Sequence, residues 1–207
     1  MNYILFDDPF QWKNLLPLTY TKPIAALRVG VLTIKEKWEK HLKSPCSCKT
    51  TDYLSKKFST NQDKVNIYIR SSVLPDSYLV NLIRQLKEGE AILKDNRVLA
   101  CNIKGYIDQD IDLLATGLKG LEYSKNITEI NFPWDIFLKN GEEIGNDISL
   151  LFENKQSAFL SKSNNLIHPE NIYIEEGVHA EFVTINATNG PVYIGKEAEI
   201  MEGSVIR

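Results

Sequence analysis

The strongest constraint on the fold is a six-residue repeat near the C-terminal end of the chain. Successive units begin at Ile194, Ile200 and Ile206, and a small residue, Ala198 and then Ser204, comes four positions after each of the first two. In a left-handed parallel β-helix, the aliphatic side chain of each unit stacks inside a triangular prism and the small residue lets the chain turn the corner. The repeat therefore predicts the first coils of a left-handed parallel β-helix.

The repeat extends upstream in a looser form. Residues 174–179 and 180–185 fit the same phase, whereas residues 186–192 interrupt it. Because two regular units are few, a β-hairpin is the alternative interpretation. A β-helix needs about three or more stacked coils to bury its core. We therefore expect either that the sequence is truncated within the β-helix or that another subunit, as in a homotrimer, covers its open end.

The front of the chain combines strand and helix patterns. Apolar runs at 2–6 and 65–69 predict buried strands, and 90–93 with 97–103 predict a hairpin across Asp95–Asn96. The first strand delivers a loop to the carboxyl edge of the sheet, which is where open α/β sheets bind ligands. The pattern predicts an α/β fold.

Two segments predict helices. Thr33 and Glu36 form a capping box for a helix that starts near Ile34. Asp76 is a candidate N-cap for a second amphipathic helix, which Gly89 would stop.

Length and composition narrow the class of protein. A chain of 207 residues, 43% hydrophobic and 25% charged, can bury one full domain and a small second one. The pattern changes between residues 155 and 166, which predicts an α/β domain over 1–160 and β-helix coils over 166–207. Without a long apolar run, a signal peptide or a dense basic run, we expect a cytoplasmic protein with no membrane and no nucleic-acid partner.

The charge is unevenly distributed. Residues 1–70 hold 12 Lys and Arg against 6 Asp and Glu, whereas residues 71–207 hold 12 against 21. A basic front suits a small ligand that carries phosphate. Several of these lysines are predicted to lie on the solvated face of a helix, namely Lys35, Lys37, Lys40 and Lys43.

Several segments resemble one family of sugar-nucleotide enzymes. Leu16–Pro23 is similar to the signature loop of sugar-1-phosphate nucleotidyltransferases, in which Pro-Leu-Thr, a short spacer and Pro-Lys-Pro follow one another. Other stretches resemble the alternate, bacteroidete-type form of the bifunctional N-acetylglucosamine-1-phosphate uridyltransferase/glucosamine-1-phosphate acetyltransferase family, at 27–30, 37–39, 74–76, 133–135 and 190–203. The resemblance implies a nucleotidyltransferase-like, Rossmann-like mixed-sheet domain followed by the start of an acyltransferase β-helix.

The resemblance also implies a reaction and its residues. A nucleotidyl group would pass from a nucleoside triphosphate to a hexose-1-phosphate, N-acetylglucosamine-1-phosphate, with Mg²⁺ present. Lys22 matches the lysine that contacts phosphate, and Thr19 of the same turn is expected to bind substrate. Arg28 is our own candidate for a second phosphate clamp, because a guanidinium suits bidentate contact with phosphate. Acetyl-coenzyme A is expected only for acyltransferase coils beyond Arg207.

Three carboxylates follow predicted strands. Asp7 and Asp8 are candidate metal ligands at the end of the first strand, where a Mg²⁺ ligand would lie. Asp76 is a candidate substrate-binding residue and equally a helix N-cap. Trp134 is expected to be a buried anchor, since an aromatic residue after proline in an apolar stretch normally belongs to a core, and Asp135 a cap or turn acid. Contact of this pair with a ligand is the alternative.

The chain departs from the usual family pattern at three places. Residues 7–14 replace the Gly-x-Gly-Thr-x-x-Arg stretch of mainstream nucleotidyltransferases, the spacer before Lys22-Pro23 is shortened, and Arg70-Ser71-Ser72 stands where a Gly-Asp pair is expected. A loop poor in glycine lets the backbone approach phosphates less closely. The alternative function is therefore a catalytically silent nucleotide-sugar binding or assembly module attached to a β-helix acyltransferase.

Overall fold

The computed structural model describes residues 1–107, 111–153 and 155–207. These residues divide into two compact units, Met1–Leu138 and Lys139–Arg207. No helix among the described residues is both long and apolar enough to span a membrane.

The first unit is built on a six-stranded mixed sheet with the order β2-β1-β3-β5-β4-β6. Its strands are β1 (Asn2–Phe6), β2 (Cys46–Lys49), β3 (Val65–Arg70), β4 (Glu90–Lys94), β5 (Arg97–Lys104) and β6 (Lys119–Glu122). Strand β5 is antiparallel to β3 and β4, and the other neighbouring pairs are parallel. The start of β5 therefore lies at the same edge of the sheet as the carboxyl ends of the other strands.

Strand β1 shows why the sheet is central. Tyr3 and Leu5 belong to one apolar core, whereas Ile4 and Phe6 belong to another. Successive side chains of a strand point to opposite faces, so the sheet carries a core on each side. A continuous apolar run is typical of a strand that is buried on both faces, and the predicted strand is confirmed.

The predicted hairpin is also confirmed. Strands β4 and β5 pair antiparallel, and the two residues between them, Asp95 and Asn96, have φ angles of 50° and 61°. A two-residue turn with both φ angles positive matches the twist of the strands that it joins, and Asp and Asn tolerate this conformation better than most residues do.

The helices are α1 (Pro9–Asn14), α2 (Ile34–Leu42), α3 (Asp52–Ser55), α4 (Ser77–Gln85), α5 (Ile111–Ala115) and α6 (Pro133–Phe152), with short 3-10 turns at Leu18–Tyr20, Ile24–Ala26 and Pro169–Asn171. The predicted capping box of α2 is confirmed, because the backbone N–H of Glu36 donates to Thr33 Oγ1 at 3.2 Å and that of Thr33 donates to Glu36 Oε2 at 2.7 Å. Asp76 caps α4, as predicted. Gly89 does not stop this helix, because the helix already ends at Gln85 and Gly89 lies directly before β4.

Two expectations about burial are wrong. The side chain of Lys37 is 2% exposed, because Lys37 lies three residues after Ile34 and therefore falls on the apolar face of α2 that also holds Trp38. Trp134 is 59% exposed. It lies in the first turn of α6 and stacks on the ring of Phe132 instead of entering the core.

The second unit contains the coils that the six-residue repeat predicts. Its strands are β7 (Asn165–Ile167), β8 (Ile172–Ile174), β9 (His179–Ala180), β10 (Thr184–Asn186), β11 (Val192–Ile194), β12 (Glu199–Ile200) and β13 (Val205–Ile206). They form three small parallel sheets, in which each strand pairs with the strand three places later. This is the start of a β-helix. The hairpin alternative is wrong, since a hairpin would pair antiparallel.

The register of these sheets follows the six-residue units. Ile174 lies beside Ile194, and Ala180 lies beside Ile200 one corner later. Ile206, which begins the next unit, lies beside Ile185, which is fully buried and is the last residue of the unit 180–185. The stacked aliphatic residues supply the apolar interior, and the phase of the repeat shifts by one position at Ile185.

One corner of the coils requires a left-handed backbone at stacked positions. Gly177 has a φ of +76° and Glu197, one coil later, has a φ of 59°. A Cβ atom at Gly177 would lie 3.0 Å from Cγ of Glu197.

The substitution Gly177→Ala is expected to lower the free energy of unfolding of the second unit by about 1–2 kcal/mol, because an L-residue is strained at this φ. The control is Gly145→Ala, in the middle of α6, where no described atom beyond the adjacent residues and the backbone of the helix itself lies within 4 Å of the added Cβ. Alanine favours a helix interior over glycine by up to about 1 kcal/mol, so the control should be neutral or stabilising. Chemical denaturation measures both; equal effects of the two substitutions would contradict the stacked-corner geometry.

Candidate functional site

Three strands end side by side at one edge of the sheet. The backbone N–H of Asp7, after β1, donates to the carbonyl of Lys49 at the end of β2 at 2.9 Å. The N–H of Ser71, after β3, donates to the carbonyl of Phe6 at 2.9 Å. The polar residues that follow these strands therefore gather at the carboxyl edge, as the sequence predicts for the loop after β1.

Asp7 joins this edge to the signature-like loop. Its Oδ2 accepts a hydrogen bond from the hydroxyl of Thr50 at 2.7 Å, and the backbone N–H of Ile24 donates to its carboxylate at 3.2 Å. Burial raises the pKa of Asp7 to about 6, although these hydrogen bonds act in the opposite direction. Asp7 thus fixes the chain directly after Lys22-Pro23.

Arg70 is the best-bonded side chain of the edge. It is 1% exposed and its Nε donates to the carbonyl of Val98 at 2.6 Å. Its Nη1 lies 3.1 Å from Oδ2 of Asp8, and its Nη2 donates to Oδ1 of Asp112 at 2.6 Å. The guanidinium also lies 5.1 Å from the ring centroid of Phe6. A buried guanidinium is stable only when it is paired in this way.

A second network surrounds Glu129, a buried residue that is 7% exposed. Arg97 Nη2 donates to Glu129 Oε2 at 3.0 Å, and the Gln11 amide donates to Glu129 Oε1 at 2.5 Å. The Ser72 hydroxyl donates to Glu129 Oε1 at 3.0 Å and the Asn131 amide to Oε2 at 3.2 Å. Burial alone would raise the pKa of Glu129, but the hydrogen bonds from Arg97 and Gln11 outweigh it and hold the pKa below its usual value.

These two networks form the wall of a cavity of about 400 Å³. It is lined by Asp8, Phe10, Gln11, Asn14, Arg70, Arg97, Asn131 and Phe132. Phe10 is 72% exposed and Phe132 is 38% exposed. The cavity therefore combines aromatic surface, amides and a partly exposed arginine at the ligand-binding edge of an α/β sheet.

The sequence-predicted site residues are only partly collected here. Asp8 lines the cavity, caps α1 through a 2.9 Å hydrogen bond from the N–H of Gln11, and pairs with Arg70. Asp76 accepts hydrogen bonds from two N–H groups of α4 and from the hydroxyl of Tyr123 at 2.7 Å. The N-cap interpretation of Asp76 is thereby confirmed, and its substrate-binding role stays a prediction.

The signature-like loop presents its residues in different ways. Thr19 is fully buried and its hydroxyl donates to the carbonyl of Trp12 at 2.7 Å, which ties the loop to α1. Lys22 is exposed. Arg28 is exposed as well, and its Nη2 lies 3.9 Å from Glu36 Oε2. Ligand contacts by these three residues stay predictions.

The carboxylates at this edge do not build a Mg²⁺ site by themselves. Both oxygens of Asp8 are engaged, one by the N–H of Gln11 and one by Arg70. Asp7 is bonded to Thr50 and to the backbone. Within the described residues, no group of three or more His, Cys, Asp or Glu side chains is arranged to hold a metal ion. Metal binding by Asp7 and Asp8 therefore stays a prediction.

The residues that form the two networks escaped the sequence analysis, apart from Asp8. Arg70 stood out only as a departure from the expected Gly-Asp pair, although its place at the end of a predicted strand was a usable signal. Gln11 and Glu129 are separated by 118 residues in the chain. Arg97 begins an antiparallel strand, so its place at this edge depends on a strand order that local patterns do not reveal.

The substitution Asp7→Asn is expected to change how stability depends on pH. The pKa of Asp7 is raised from 3.8 to about 6, so between these values the folded chain keeps a proton that the unfolded chain has lost. The free energy of unfolding should therefore fall, as pH rises from 4 to 7, by up to about 3 kcal/mol more in the wild type than in the variant. Asp95→Asn, at an exposed turn, is the control and should parallel the wild type. Parallel curves for Asp7→Asn would contradict the shift.

The substitution Arg70→Met is expected to lower the free energy of unfolding by about 3 kcal/mol or more, because it leaves Asp8 and Asp112 without their cation. The control is Arg84→Met, an exposed arginine of α4 that donates to the carbonyl of His41, with an expected loss under about 1 kcal/mol. Denaturant titration of both variants measures the difference. Similar losses would show that the Arg70 network does not hold the edge together.

Comparisons with known proteins give the family. One of the solved structures to which the chain is similar is described as a putative glucose-1-phosphate thymidylyltransferase from Bacillus anthracis in complex with a sucrose, with 12% identity, a TM-score of 0.41, and coverage of 70% of this chain and 95% of that chain. A comparison with curated proteins finds no match. The family model described as sugar nucleotidyl transferase matches residues 3–156, more than half of the chain. The chain therefore belongs to the sugar nucleotidyl transferase family.

Proposed function

We propose that the first unit transfers a nucleotidyl group from a nucleoside triphosphate to a hexose-1-phosphate, with N-acetylglucosamine-1-phosphate as the acceptor. The observation that carries the proposal is the cavity at the carboxyl edge, which brings Arg97 and an aromatic surface together at the site where α/β sheets bind ligands. Family membership supplies the class of reaction. The acceptor comes from the resemblance of the sequence to the bifunctional enzymes.

The chemistry explains what the site must provide. A phosphate oxygen of the sugar phosphate attacks the α-phosphorus, a new P–O bond forms, and the bond from that phosphorus to the bridging oxygen breaks. Pyrophosphate leaves with the electron pair. The attacking oxygen is already anionic, so no general base is needed, and catalysis consists of holding the groups in line and neutralising charge.

Cationic side chains of the first unit suit this role to different degrees. Arg97 is 41% exposed and is held in place by buried Glu129. Arg70 is 1% exposed and acts behind the surface, where it fixes α1 through Asp8. Lys22 and Arg28 are exposed and are the proposed contacts to the transferred and leaving phosphates. Thr19 would hold the signature-like loop in place, and Asp76 would hold the start of α4. Direct contact of these two residues with the substrate stays a prediction.

One observation favours the second function, a silent nucleotide-sugar binding or assembly module. The two arginines of the cavity are compensated by three carboxylates, namely Asp8 and Asp112 at Arg70 and Glu129 at Arg97. A site that is neutralised internally binds a polyphosphate less strongly than one with unpaired cations. Turnover therefore depends on the positive charge that Lys22, Arg28 and a bound Mg²⁺ ion would add to the site.

For the second unit we propose the start of an acyltransferase β-helix, which would use acetyl-coenzyme A and assemble as a homotrimer. The stacked coils and the resemblance of residues 190–203 support this proposal. We keep 1–160 and 166–207 as the proposed limits of the two domains, and cytoplasmic location as an expectation. Sedimentation would distinguish a trimer from a monomer.

The test of nucleotidyl transfer is release of pyrophosphate from UTP in the presence of N-acetylglucosamine-1-phosphate and Mg²⁺. The wild type is expected to turn over, and Lys22→Ala and Arg28→Ala should each lower kcat/KM by about 10-fold or more, since a charge-assisted contact to phosphate contributes about 1.5–3 kcal/mol. Lys40→Ala, an exposed lysine of α2, is the control and should leave kcat/KM unchanged. No turnover by the wild type with several nucleotides and sugar phosphates would favour the silent module.

A further inference from the structure

We infer that the cavity of the first unit binds the nucleoside end of a nucleotide, with the base on Phe10 and Phe132 and the first phosphate at Arg97. The inference deepens the proposed function and rests on it for the class of ligand. It assigns specificity to Phe10, within the stretch that replaces the glycine-rich loop of the family, to Phe132 just before α6, and to Arg97 at the start of β5.

The aromatic side chains of the cavity are more exposed than a role in the core would require. Phe10 is 72% exposed. It belongs to the short helix α1, which is held in place by its N-cap Asp8 and by the buried side chain of Gln11. The ring of Phe132 is stacked on that of Trp134, with centroids 4.7 Å apart and planes 9° apart. Trp134 therefore covers one face of Phe132 and leaves the other face for a flat ligand. Every nucleobase presents a π-face of this kind.

The polar groups of the cavity suit one phosphate. A guanidinium has five N–H donors, and Glu129 accepts from Nη1 and Nη2 of Arg97 at 3.3 and 3.0 Å. These are the side-chain hydrogen bonds of Arg97 among the described residues, so its remaining donors can meet an anion. The pairing also holds the guanidinium in one position, which reduces the entropy that is lost when a phosphate binds.

The charge balance argues for the nucleoside end and against a complete triphosphate inside the cavity. Arg70 is 1% exposed, and its charge is already paired with Asp8 and Asp112. A single partly exposed cation cannot neutralise three phosphates, so the β- and γ-phosphates would extend past the cavity. A volume of about 400 Å³ is at the lower end of the range of small-molecule sites, about 300–1,000 Å³. A sugar phosphate would use Arg97 but would have no aromatic plane to stack on the phenyl rings.

Binding of uridine and of UMP to the full chain, measured by calorimetry, separates the two contacts. Phe10→Ala is expected to weaken uridine and UMP equally, by about 10-fold, because stacking on an aromatic side chain contributes about that much. Arg97→Gln should weaken UMP by about 10-fold and leave uridine unchanged, and Arg97→Lys should recover part of the loss. Phe137→Ala, at a phenylalanine that is 81% exposed and does not line the cavity, is the control and should bind both ligands as the wild type does.

Several outcomes would overturn the inference. These are unchanged affinity for both ligands in Phe10→Ala, equal weakening of uridine and UMP in Arg97→Gln, and a loss in Phe10→Ala that affects N-acetylglucosamine-1-phosphate as much as UMP. Failure of this inference can be distinguished from failure of the proposed nucleotidyl transfer. Pyrophosphate release at wild-type kcat/KM by Phe10→Ala would overturn the stacking site and leave the transfer proposal standing. The expected binding pattern without pyrophosphate release would do the reverse.

Discussion

The guanidinium of Arg70 holds together three parts of the chain that are distant in sequence. It pairs with Asp8 at the start of α1, with Asp112 in α5, and with the carbonyl of Val98 in β5. Taking an arginine out of water costs several kcal/mol unless charged and polar partners replace the solvent. The position of α1, and with it the orientation of Phe10 and Gln11, therefore follows from the need to satisfy one buried cation.

The network around Glu129 is linked to the first through Gln11. The Gln11 amide oxygen accepts from Arg70 at 3.3 Å, while its amide nitrogen donates to Glu129. Linked hydrogen bonds in a poorly solvated environment reinforce one another, and each becomes costly to break separately. The wall of the cavity is thus held by many hydrogen bonds, and its two arginines face three carboxylates, which suits recognition of shape more than attraction of a highly charged ligand.

The local features of this fold could be predicted because their signals are local. The capping box of Thr33 and Glu36 needs four residues, and the coils of the second unit repeat a six-residue pattern that their stacking enforces. The charge of Lys37 favours solvent, but its position three residues after Ile34 places it on the apolar face of α2. A tryptophan after proline favours the core, but stacking on Phe132 holds the ring of Trp134 at the surface. The meeting of Gln11 with Glu129 and of Arg70 with Asp112 depends on the order of the strands, which no short pattern contains.

The tight turn between β4 and β5 has a consequence for how this surface could diversify. Asp95 and Asn96 set the register of β5, whose first residue is Arg97. A single-residue insertion in this turn would slide the start of β5 by about 3.4 Å and rotate its side chains to the opposite face of the sheet. The turn itself is exposed, but the residues of β5 directly after Arg97 are buried, so the same shift would turn core side chains out to solvent. Variation of this surface is therefore confined to substitutions that keep the two-residue turn.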